Sequence, residues 1–110
     1  MRIVVPDLEL WCKNYVLRKA EFFDWYRHTS LNRDLERYKT CGAVFMGMIY
    51  NWDHNMGYDL ETLSWQLSET GFREINRSIW GHSQNIPSIE ILEAADSDRR
   101  LESLVIECTK

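Results

Sequence analysis

Several features that would assign a chemistry quickly are missing from this 110-residue sequence. Its five glycines, Gly42, Gly47, Gly57, Gly71 and Gly81, form no G-x-G, and none lies just after a predicted strand and ahead of a helix. The chain therefore has no glycine-rich turn through which backbone can approach a nucleotide-type cofactor. Its three cysteines, Cys12, Cys41 and Cys108, are an odd number without C-x-x-C spacing. They read as small buried hydrophobes in a reducing, cytoplasmic compartment. His28, His54 and His82 are widely spaced and lack the i, i+4 pattern of a metal site. No apolar run approaches membrane-spanning length, and the N-terminus has no apolar signal core. Positive charge is also scarce: the net charge is −4, and Arg33, Arg37 and Lys39 are interspersed with Asp34 and Glu36. That balance argues against a nucleic-acid surface, which needs a basic face, and without a spanning apolar run a membrane is not an expected partner either. Repeats, low-complexity segments and linkers are absent, which makes residues 1–110 a single expected domain.

What is present is an ordinary globular composition, 45% apolar and 27% charged, with five tryptophans, five tyrosines and four phenylalanines. So many rings in a short chain are expected to fill a small core or a subunit interface. The clearest local grammar runs from Asp59 to Trp80. Asp59 is a good N-cap, Glu61 complements the helix dipole, and Leu60, Leu63 and Leu67 fall on one helical stripe. Gly71 sits where a left-handed C′ residue belongs, with Phe72 and Leu67 as the apolar pair of a Schellman stop. The period then changes to two, since Ile75, Arg77 and Ile79 alternate with Glu74, Asn76 and Ser78, predicting a strand over 72–80. Leu104 to Ile106 is an unbroken apolar run, expected of a strand covered on both faces.

Upstream, residues 2–5 form a short apolar strand ended by Pro6, and Asp7 is placed to cap the first helix. Leu8, Trp11, Tyr15, Phe22, Phe23 and Tyr26 fall near one face, predicting a single long helix over 8–27. Ser30 offers a second N-cap. Leu31, Leu35, Tyr38, Gly42, Phe45 and Ile49 continue at steps of four and three, predicting a helix over 31–50, with Gly42 allowing close approach of another backbone. Residues 81–102 form a long connection with a helical turn expected around 88–95. The result is an α/β fold, a small three-stranded mixed sheet with about three helices.

The series VPDLE at 5–9, His54, YDLETL at 58–63, ETGF at 69–72, WGHSQNIP at 80–87 and ESLVIECTK at 102–110 resembles class I S-adenosylmethionine-dependent methyltransferases. More narrowly, it resembles the C-terminal half of small, methyltransferase-like members of that Rossmann-like fold. The resemblance implies that the last strand inserts antiparallel between the first strand and strand 72–80, leaving the first strand at an edge. It also implies an acceptor-side cleft. His54 stands where the family has a recurrent histidine, Tyr58 accompanies it, and Asp7 ends the first strand at its carboxyl end, where open α/β sheets place ligands. Asp7 also has the plainer reading of a helix cap.

The family's cofactor-binding half is not in this chain, so S-adenosylmethionine belongs to the intact family and no cofactor is expected here. The start directly against a strand reads as truncation. The expected function is a methyltransferase-like C-terminal fragment, not catalytic alone, whose methyl acceptor the residues do not specify. Ser83 has no base suggested beside it, so nucleophilic catalysis finds no support. A homodimer is expected, through the edge strand from Arg2 to Val5 or through the aromatic helices. The competing readings are a non-enzymatic α/β dimerisation or protein-interaction module, and a small-molecule site near His54 and Tyr58.

Overall fold

The structure, a computed structural model, describes residues 1–31, 36–51 and 54–110. The element order is β1 (Arg2–Pro6), α1 (Leu8–Val16), α2 (Ala20–Ser30), α3 (Cys41–Tyr50), α4 (Leu60–Glu69), β2 (Arg73–Arg77) and β3 (Ser103–Thr109). Two short 3-10 turns, Ile89–Ile91 and Asp98–Leu101, lie in the connection between β2 and β3. The chain divides into two compact units: a sheet unit of Met1–Asp7 with Tyr58–Lys110, and a helical unit of Leu8–Gly57. Each has its own hydrophobic cluster.

In the sheet unit the strand order is β1-β3-β2. Both pairings are antiparallel, which corrects the expected mixed sheet: β1 and β2 run the same way but never touch. Leu104, Ile106 and Cys108 alternate along β3 and pack with Leu63 and Leu67 of α4, flanked by Ile3 and Val5 of β1. Val105 between them is buried too, as expected of a strand covered on both faces. Helix α4 is built as its sequence reads. The Asp59 carboxylate accepts from the Thr62 amide at 2.8 Å. At the other end Phe72 N–H donates to the Leu67 carbonyl and Gly71 N–H to that of Ser68, with Gly71 at φ +88°, which is the Schellman pattern. Strand β2 is shorter than expected. A register irregularity between Arg73 and Asn76, with Glu74 at φ +48°, interrupts it, and Ile79 lies beyond its end with its side chain exposed.

The helical unit departs further from expectation. The single helix over 8–27 is two helices, α1 and α2, broken at Leu17 to Lys19 with Arg18 at φ +51°. The rings explain the break. In one straight helix Trp11 and Tyr26 would stand roughly 22 Å apart along the axis. Instead their centroids lie 4.7 Å apart, edge to face, and Phe22 and Phe23 also pack on Trp11. Aromatic burial thus overrides local helix propensity. Ser30 does not start a helix; it ends α2. Helix α3 begins only at Cys41, capped by Thr40, whose hydroxyl accepts from the Ala43 amide. Leu35, expected on that helix, lies outside the described residues, as does Trp52. The glycine of close approach is Gly47, not Gly42. A Cβ on Gly47 would meet Tyr38 at 2.7 Å and Leu31 at 2.9 Å, whereas one on Gly42 would meet only Tyr15 at 3.9 Å. Of the cysteines only Cys108 is buried; Cys12 is exposed and Cys41 intermediate, which corrects their reading as core residues.

Candidate functional site

Two of the three candidate residues meet at the carboxyl end of β1. Asp7 follows the strand, donates its amide to the Glu102 carbonyl at 2.8 Å and forms an isolated parallel bridge with Tyr58. Its side chain is almost fully buried. The carboxylate accepts from Arg77 Nη2 at 2.5 Å, so the ion pair spans the carboxyl ends of β1 and β2, one partner buried and the other half exposed. Arg77, the last residue of β2, is a member of this cluster that sequence reasoning took for an ordinary strand residue. His54 belongs to the helical unit, where its Nδ1 lies 2.7 Å from the Met48 carbonyl. A carbonyl only accepts, so Nδ1 carries the proton of that bond.

Beside this cluster Glu102 carries a buried Oε2 without a hydrogen-bond partner. Burial pushes its carboxyl up to about 7, with the nearby Arg99 working in the opposite direction.

A second constellation, absent from the sequence reading, is centred on Arg2. Its guanidinium holds Glu93 bidentately, Nε to Oε1 and Nη2 to Oε2, each at 2.6 Å. Nη1 donates to Glu107 Oε1 at 2.7 Å, to Ser78 Oγ at 2.9 Å and to the His82 carbonyl, while Nη2 also reaches the Ile79 carbonyl. Arg2 and Glu107 are cross-strand partners on β1 and β3. All three charged side chains are buried, with 5–11% of their surface exposed. The Arg2 bonds hold the Glu93 carboxyl below its usual range against the cost of burial, with the Gly81 amide adding to the effect. Glu107 is also held low, by the Ser83 hydroxyl first and then by Arg2 and Asn85. Charged residues set inside apolar strands, Arg2 ahead of IVV and Glu107 after LVI, were the sequence signal for this pairing.

This buried cluster pins residues 78–93 to the sheet and shapes a cleft of about 820 Å³. Asn76 and Arg77 of β2, Glu107 of β3 and His82, Gln84 and Asn85 of the connection are among the residues that line it. Glu107 alternates with Ile106 and Cys108, which puts it on the sheet face opposite α4. Among the described residues no group of three or more His, Cys, Asp or Glu is placed to hold a metal ion, and no helix is long and apolar enough to cross a membrane.

No family model, curated protein or solved structure matches the chain.

The geometry itself limits the chemistry. The Asp7 carboxylate is engaged by Arg77, and the Glu107 carboxylate by Arg2 and the Ser83 hydroxyl. The cleft offers hydrogen-bonding groups that a bound small molecule could meet.

Proposed function

We propose that this chain is the acceptor-side, C-terminal part of a methyltransferase-like fold, not catalytic alone, and that two copies pair through β1. The observation that carries this reading is the strand order β1-β3-β2, with β3 antiparallel between two strands that run the same way. That is the arrangement the resemblance implies for the end of the fold. Asp7 and Tyr58 at the carboxyl end of β1 would then face the methyl acceptor. The glycine-rich turn that would hold S-adenosylmethionine has no counterpart in the sequence.

Edge pairing has specific support in the ladder. Met1 and Asp7 bond to Cys108 and Glu102 of the β3 side, so odd-numbered residues of β1 face β3. The amides of Arg2 and Val4 therefore point to the outer edge, where Pro6 contributes no donor. Light scattering should give twice the chain mass, and Val4→Pro, which removes an outward donor and leaves the β1–β3 bonds intact, should give a monomer. A wild-type monomer at high concentration overturns the pairing. Calorimetric titration with S-adenosylhomocysteine should show no saturable heat, and micromolar binding would overturn the non-catalytic reading.

A second reading, a protein-interaction module, draws on Trp65, which is 61% exposed on α4. It gains ground if the dimer forms with Trp65 still open to a collisional fluorescence quencher.

A further inference from the structure

We propose that the cleft between the outer sheet face and residues 78–85 binds a small neutral polyhydroxylated compound of sugar type. The proposal does not rest on the methyltransferase reading.

The cleft has a built floor and an adjustable rim. Glu107 is buried, and its Oε1 is committed to Arg2. Its Oε2 receives a long 3.4 Å bond from Asn85, and the Ser83 hydroxyl also bonds the carboxylate; with about four acceptor positions in all, the carboxylate keeps capacity for a ligand donor. Burying an ion cluster of this kind costs desolvation that an apolar core would avoid, so its contribution lies in fixing geometry more than in stability. What it fixes here is the wall of the cleft. Gly81 N–H to Glu93, Trp80 Nε1 to the Ala94 carbonyl and the Ser83 hydroxyl taking the amides of Asn85 and Ile86 complete the same wall.

The chemistry of the lining selects the ligand class. Its volume of about 820 Å³ lies in the range of small-molecule sites. The walls carry amides and hydroxyls, from Asn76, Ser83, Gln84 and Asn85, beside apolar surface that includes Ile79, a mix suited to a sugar's hydroxyls and C–H face. Such groups pair with hydroxyls that both donate and accept. Charge does not favour an anion: Arg77 is already paired with Asp7, and the Glu107 charge is offset by Arg2. Glu74 adds a further carboxylate to the lining. A phosphate or polyanion would meet no unopposed cation there.

The test is a nitrogen–proton NMR titration of the full chain with D-ribose, D-glucose and sucrose, with glucose 6-phosphate as the charged comparison. At least one neutral sugar should give saturable shifts with a millimolar dissociation constant, confined to residues 76–85 and 107–109. Gln84→Ala and Asn85→Ala, both at exposed rim positions, should keep the folded spectrum and weaken binding at least fivefold. Glu107→Gln is the stronger change, but it also disturbs the Arg2 cluster, so the rim variants decide. No saturable shift with any of the sugars overturns the proposal. So do shifts unaffected by the rim variants, or binding of the phosphate ester alone.

Discussion

Glu102 stands just ahead of β3, its carbonyl taken by the Asp7 amide while its own Oε2 is buried without a partner. Desolvation raises its carboxyl from 4.5 to about 7, so the folded chain binds this proton more tightly than the unfolded chain does. The sign comes from linkage. Its contribution to stability is fully present below the unfolded value and is lost as pH rises through the folded one. Between pH 4.5 and 7 this single group should cost about 3 kcal/mol. Glu102→Gln removes the titration, so urea unfolding should show the variant more stable than wild type by about 2–3 kcal/mol at pH 8 and nearly equal at pH 4. Equal stability at both pH values would mean that the carboxylate finds solvent when it ionises.

Helix α3 separates two glycines that look alike in sequence. Gly42 has open surroundings, so Gly42→Ala should stabilise by about 0.5 kcal/mol through helix propensity. Gly47 lies against the Tyr38 ring, so Gly47→Ala should destabilise by about 1–3 kcal/mol through overpacking. Thermal melts of the two variants should shift in opposite directions. The same contrast explains what the residues reveal unaided. Helix α4 is legible because its start and stop are local: a cap bonded three residues on and a glycine in the left-handed region. The break between α1 and α2 is not, because the positive φ is carried by Arg18 rather than by glycine or asparagine, and its cause is ring contact across the unit. Asp7 could be picked out as the end of a strand. Its partner Arg77 is 70 residues away, a pairing only the folded sheet creates.

At the scale of the whole chain, Arg2 links residues that lie 76 to 105 positions away in sequence. Arg2→Met should destabilise by about 3–5 kcal/mol, because it leaves Glu93 and Glu107 buried without a counter-charge. Replacing all three with apolar residues should recover most of that loss in urea unfolding, while sugar binding in the cleft should not return. The arrangement of the two units bears on folding order. The helical unit is one continuous stretch, Leu8–Gly57, inserted between β1 and the remainder of the sheet unit. Its contacts are closed by short loops, whereas the β1–β3 pairing must close a loop reaching 107 residues. On the ribosome, β1 must therefore wait for up to 107 further residues to be made before its partner strand emerges. During that interval an apolar strand with two bare edges depends on dilution or chaperones to stay unpaired.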